Sequence, residues 1–196
     1  KYEGHTLVDI LKKFQTKFNL NDKPIVVADR GKLNNDNIAY LENNNYKYIL
    51  AAKIKNISND LKEQISNLAF LDDGTIHTLA IDKEIKYKDA DGVKHTIQVK
   101  QRLVLTYSSK RAKKDKYTRD KALEKIEAKL AKSITKSDLK LSYYAKYLDI
   151  DEKCDIKYKL NPSKILNDEK LDGIKGYITN DFTLNANDVI QHYQNQ

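Results

Sequence analysis

Ile25, Val26, Val27 and Ala28 form an unbroken apolar run that ends directly in Asp29, Arg30 and Gly31. A turn-forming stretch, residues 19–23, and Pro24 stand before it. A short apolar run bounded by turn signals is the pattern of a strand buried on both faces. A second such run, "YKYILAAKI" over residues 46–54, follows a segment in which Ile38, Tyr40 and Leu41 sit behind several Asn and Asp caps. That segment predicts a short helix. Two buried strands joined by a helical crossover pair in parallel. Upstream, Leu7, Ile10, Leu11, Phe14 and Phe18 fall at helical spacing behind Thr6, a potential N-cap. Helix, strand, helix, strand is α/β grammar.

The grammar changes near residue 70. A helix is predicted over 58–69, then strands over 75–81, 83–88, 93–100 and 102–107, with "DDG" and "DADG" as hairpin-type turn signals. Val93, His95, Ile97 and Val99 alternate with polar neighbours, as in an antiparallel sheet wet on one side. Residues 108–132 predict a long helix with Ala112, Leu123, Ile126 and Leu130 as a thin apolar stripe and i,i+4 pairs such as Asp115 with Arg119. Its first half is unevenly basic, through Lys110, Arg111, Lys113 and Lys114 among others. Two readings stand for that stretch, a solvated helix face or a phosphate-contacting surface. Further on, a strand is predicted at 155–160, a helix at 162–170 starting on Pro162, a strand at 174–179, and a final helix capped by Asn185 or Asn187. "GIKG" lacks the rest of any phosphate-binding loop.

At 196 residues the chain can bury one good core, or one core with a smaller appended unit. A net charge of +8 concentrates polyanions around it, which makes nucleic acid the first candidate partner. No apolar run approaches the roughly 20 residues of a membrane span, so no membrane partner is expected. With no signal peptide visible, a cytoplasmic location is expected, nucleoid-associated when the chain is on DNA. Cys154 is alone and can form no internal disulfide; His5, His77, His95 and His192 are scattered without zinc-site spacing. The chain has no methionine and opens on Lys1, so the reading frame is expected to begin upstream.

Taken in order, "GHTLVDIL", "VVADRG", "NIAYLENNNYKYIL", "RLVLTYSSKRAKKDKYTRDKALEKIE", "LDGIKGYITN" and "VIQHYQNQ" resemble the DDE transposases of bacterial insertion sequences over nearly the whole chain. The resemblance implies a ribonuclease-H-like core, a mixed sheet with flanking helices, interrupted by a mostly antiparallel β insertion. It divides the chain into the first part of the core at 1–70, an insertion at 71–160 carrying the basic helix 108–132, and a return to the core at 161–196. The implied activity is metal-dependent cleavage and strand transfer of double-stranded transposon-end DNA, with two Mg2+ ions in the whole enzyme and a homodimer assembled on DNA. Two alternatives remain open: a basic nucleic-acid-binding module without catalysis, and a nuclease built on the same core.

By that resemblance Asp29 is the second acidic residue of the triad, a catalytic metal ligand; as a plain sequence feature it is also a turn former or cap. The first aspartate is expected upstream of Lys1 and the glutamate after Gln196. Tyr193 matches the tyrosine of the family's tyrosine, arginine, glutamate, lysine signature, and Gln196 stands where the arginine would be. Neither Asp181 nor Asp188 substitutes convincingly for the glutamate. With one acidic ligand of three, residues 1–196 alone are expected to be inactive and to hold no Mg2+. Arg30 is a candidate phosphate contact or a surface ion-pair partner. Lys53 and Lys55 are candidate DNA contacts or solvated strand-end lysines. Tyr193 either meets DNA near the cleaved bond or packs its own helix.

Overall fold

A computed structural model describes residues 7–18, 23–29, 34–70, 72–89, 91–132, 146–151 and 157–195. It is a mixed α/β fold with a five-stranded mixed sheet, flanking helices and a separate two-stranded antiparallel sheet. Two compact units divide it. The first takes 1–53, 75–106 and 175–196; the second takes 54–74 and 107–174.

In the first unit, β1 (Val26–Ala28) pairs in parallel with β2 (Tyr48–Ala52), as the buried runs and their crossover predicted. The crossover is α2 (Asn35–Asn43), whose N-cap Asn34 accepts a bond from the Asn37 amide at 2.8 Å. Strands β3 (Ile76–Lys88) and β4 (Lys94–Tyr107) form an antiparallel hairpin. Next in chain order are β5 (Leu148–Asp151) and β6 (Lys157–Leu160), paired with each other in the second unit. β7 (Ile174–Thr179) returns antiparallel to β2, giving the sheet order β1-β2-β7-β4-β3. The hairpin, assigned from its sequence to the insertion, thus extends the sheet that carries β1.

Both faces of this sheet are covered. On one side α1 (Leu7–Phe18) and α2 contribute Leu11, Ile38 and Leu41 to a core with Val26, Tyr48 and Leu50. On the other, the final helix packs through Val189 and Ile190 against Ile49, Val104 and Tyr177. The alternation of β1 is therefore explicit: Val26 and Ala28 face α1 and α2, whereas Ile25 and Val27 face the final helix.

The second unit holds α3 (Asn59–Ser66), α4 (Ser109–Leu130) and α5 (Pro162–Glu169), with a 3-10 turn at Ile54–Asn56. Ala122 and Ile126 of α4 pack with Tyr147 and Leu148 to form its core. A carboxylate and cation network lies beside it. Asp168 accepts from Tyr147 Oη at 2.6 Å, Lys55 Nζ at 3.0 Å and Lys146 Nζ at 3.1 Å, and Asp172 accepts from Lys55 at 3.1 Å and Arg119 at 2.5 Å.

Three expectations are corrected. The four short strands predicted between 75 and 107 are two long ones, because the Asp82 and Gln101 neighbourhoods continue the ladder without a break. The strand β5 had no sequence signal, since its alternation is only four residues long. Asp115 pairs with Arg111 at 2.8 Å rather than with Arg119, which turns inward to Asp172 and is 4% exposed. The proposed Thr6 cap, His5, Cys154 and the segment 152–156 lie outside the described residues.

The turn into β7 explains a glycine. Gly173 has φ +80°, and a Cβ there would lie 2.6 Å from a Tyr107 ring carbon and 2.8 Å from the Ser108 carbonyl oxygen. Gly92 has the same φ with nothing within 4 Å. Urea unfolding is expected to show Gly173→Ala destabilised by about 3 kcal/mol or more, from strain plus collision, and Gly92→Ala by about 1 kcal/mol, from strain alone. Equal losses would contradict the close-approach argument.

A second prediction follows from the network. Burial pushes the Asp168 carboxyl up, but the bonds from Tyr147, Lys55 and Lys146 outweigh burial and hold it below the usual carboxylate range. A depressed folded value means that its stabilisation is complete above the unfolded pKa of about 4 and fades as the pH falls through the folded value. Asp168→Asn is expected to cost about 2 kcal/mol near neutral pH. The gap between variant and parent should narrow only below about pH 4; a gap that is flat down to pH 2 would contradict it.

Candidate functional site

Asp29 follows β1 immediately, at the carboxyl end of the parallel β1–β2 pair, and its side chain is exposed. Open α/β sheets commonly bind ligands at such strand ends. Strand alternation puts residue 29 on the face of Ile25 and Val27, which is the face covered by the final helix, α6 (Ala186–Gln194).

Local chemistry fixes that helix. Asn185 is its N-cap, accepting from the Asp188 amide at 2.9 Å and donating to the Asp188 carboxylate at 2.6 Å. Ala186, Val189, Ile190 and Tyr193, at i, i+3, i+4 and i+7, form the stripe that packs on the sheet. Tyr193 is half-buried, with its ring centroid 5.0 Å from that of Tyr177 on β7. Burial raises the Tyr193 phenol above its ordinary value, and the negative charge of Asp29 raises it further, followed by Tyr177. The two residues singled out from opposite ends of the sequence are thus within electrostatic reach of each other.

The approach to α6 is tightly bonded. Asp181 is 5% exposed and accepts from the Thr183 amide at 2.8 Å and its hydroxyl at 2.6 Å. Burial pushes its carboxyl up, yet these bonds hold it below the ordinary range. Arg102 donates to the carbonyl oxygens of Asp181 at 3.0 Å and Leu184 at 2.5 Å. Asp181 and Asp188 are therefore engaged in shaping the turn and cap. Asn180 clips the end of β7 to the start of β2, accepting from the Tyr48 amide at 3.0 Å and donating to the Tyr46 carbonyl at 2.9 Å.

A carboxylate at the end of a rigid strand is a suitable hard ligand for Mg2+. Among the described residues, no group of three His, Cys, Asp or Glu side chains is gathered to hold a metal ion. One carboxylate does not make a two-metal site, so the described donor set does not by itself fit the Mg2+ pair that the resemblance implies.

Arg30 lies outside the described residues, as does Gln196. Lys53 is exposed and ends the first unit's first segment, whereas Lys55 belongs to the second unit, where it is paired with Asp168 and Asp172. Lys110, Lys113 and Lys114 are exposed on one face of α4, and Arg111 is held by Asp115. No helix among the described residues is long and apolar enough to cross a membrane. Compared with family models and with curated proteins, the chain matches none.

The Asn180 clip and the Asp181 turn escaped the sequence reading; their only signal was the polar cluster "TNDFTLN" between a strand and a helix. The juxtaposition of Asp29 and Tyr193 predicts a titration effect. Removing a negative charge lowers a nearby phenol's pKa, so Asp29→Asn is expected to move the Tyr193 transition downward while burial keeps it above that of an exposed tyrosine. NMR titration of labelled tyrosine, assigned with Tyr193→Phe, measures this. An unmoved transition would contradict the juxtaposition.

Proposed function

We propose that the chain belongs to the catalytic core of a DDE-type DNA transposase, with a ribonuclease-H-like sheet in its first unit. The observation that carries this reading is that alternation along β1 puts Asp29 on the sheet face that α6 covers with Tyr193, near enough for its charge to raise the phenol. The sequence resemblance picked out both residues, one as an acidic ligand and one as the signature tyrosine. Asp29 supplies one of the hard oxygen ligands for divalent cations, and its strand holds it in place. Tyr193 presents an uncharged phenol beside it, which can donate a hydrogen bond to a phosphate oxygen and stack its ring at the nucleic acid.

Three further features support the reading. β1 is at the edge of the sheet, with β2 as its one partner among the described residues. The resemblance implies a further strand on that other edge, the one that carries the first aspartate. The exposed lysines of α4 and the net charge of +8 suit double-stranded DNA as the partner, and two transposon ends imply a dimer on DNA.

The test is a transposition assay on the complete reading frame, carried with its native flanking DNA. Asp29→Ala and Asp29→Asn are expected to reduce transposition to background, on the order of 1,000-fold or more, with DNA binding retained. Purified residues 1–196 should neither nick nor join DNA in Mg2+. Transposition at the parental frequency in Asp29→Ala would overturn the reading.

A further inference from the structure

Within the second unit lies a cleft of about 750 Å³, formed by the 3-10 turn Ile54–Asn56, α3, the Lys146–Tyr147 turn and α5. Its walls are unusual in composition. Ligand pockets are mostly apolar with a few polar groups, but here Leu171 is the sole aliphatic side chain on the lining and Tyr147 the sole aromatic one.

The two helices present matched faces. From α3 come Asn59, Lys62, Glu63 and Ser66, at i, i+3, i+4 and i+7. From α5 and its C-terminal turn come Lys164, Asn167, Asp168 and Leu171, at the same spacing. That spacing normally marks the apolar stripe a helix buries. In α3 it is instead wholly polar, and in α5 it is polar except for Leu171, so these faces are built to meet something polar.

Charge tells what. Five lysines line the cleft, Lys55, Lys62, Lys146, Lys164 and Lys170, against the two carboxylates Glu63 and Asp168. Asp168 is already saturated by Tyr147, Lys55 and Lys146. Lys164 is paired with Asp149 at 2.9 Å. Lys62 and Lys170 have no ion pair among the described residues. Three carboxamides, Asn56, Asn59 and Asn167, add donors that cost nothing in charge. The excess of cations over carboxylates disfavours a cationic ligand and favours an anionic one.

Length decides between a small anion and a chain. Eight residues of α3 give a wall about 12 Å long, polar from Asn59 through Lys62 and Glu63 to Ser66, whose hydroxyl donates to the Glu63 carbonyl at 2.8 Å. A single phosphate would use only one turn of it. At about 3.4 Å of axial rise per charge along one nucleic-acid strand, such a wall spans three or four phosphates. The geometry points to this cleft as a binding site for the phosphodiester backbone of a nucleic acid, made by the facing polar rows of α3 and α5. Lysine suits the role, because it reads a phosphate as a point charge and imposes no base sequence. The site goes beyond the Asp29 reading and does not depend on it: a catalytic core and a binding module would both use it.

Fluorescence anisotropy on the 196-residue chain tests it, with a labelled 20-mer duplex and with one of its strands alone, each across a range of salt. The paired change Lys62→Ala with Lys170→Ala removes the two unpaired cleft lysines. The matched change Lys12→Ala with Lys13→Ala removes the same charge from exposed positions on α1. None of the four lysines is a buried core residue, and circular dichroism verifies folding.

The cleft pair is expected to weaken binding about ten-fold or more and to flatten the slope of log K against log salt by about 1.4 on the single strand or 1.8 on the duplex. The α1 pair should stay within about two-fold of the parent, and Lys62→Arg with Lys170→Arg should restore the slope. The form of DNA showing the larger change identifies the ligand. Equal weakening by both pairs would mean a diffuse field and would overturn the site. So would parental binding by the cleft pair, or a parent chain that takes up inorganic phosphate but neither form of DNA.

Discussion

The parallel pairing of β1 with β2 is the constraint on which the first unit depends. Its register, Val26 with Tyr48 and Ala28 with Leu50, is anchored by the Val26 amide on the Lys47 carbonyl at 2.8 Å. Asn180 in turn anchors the start of β2 by bonding Tyr48 and Tyr46. Because side chains alternate along a strand, a slip of one residue would exchange the faces of Val26 and Val27 and carry Asp29 away from α6. Burial on both faces forbids that slip. The buried chain of Gln101 to Tyr48 to Glu42, with both bonds at 2.6 Å, adds a polar lock that only one register satisfies.

The positive charge of the chain is not one property but two. Lys55, Lys146, Arg119 and Lys164 are committed to carboxylates within the second unit. Their effect is local order, and a buried ion pair of this kind specifies geometry more than it adds stability. Lys110, Lys113 and Lys114 are exposed on α4, and Lys62 and Lys170 stand at the cleft. These are the groups able to exchange counterions for phosphates, so a net charge alone overstates the number of lysines available to a nucleic acid.

Local patterns made much of the fold legible. The apolar runs at Ile25 and Tyr46 are strands, Pro162 opens a helix, and Asn185 caps one, each because the signal is short-range and has a single physical cause. Long-range partnership was not legible. Arg119 has a helical neighbour at the right spacing in Asp115, yet it serves Asp172. The polar rows of α3 and α5 lie about a hundred residues apart in the sequence, and only folding brings them to one cleft. Asp29 was legible as a carboxylate at a strand end and Tyr193 through the resemblance; that both fall on one face of the sheet follows only from alternation along β1 and the stripe on α6.

The central claim is that Asp29 is a metal ligand, and the most direct measurement of it is a metal-specificity switch. Asp29→Cys replaces a hard oxygen ligand with a soft sulfur, which Mg2+ tolerates poorly and Mn2+ accepts better. In the complete reading frame, DNA cleavage by this variant is expected to be lost in Mg2+ and restored at least in part by Mn2+, while the parent works in both. Equal cleavage by the variant and the parent in Mg2+, or no restoration by Mn2+ in a folded, DNA-binding variant, would contradict the claim.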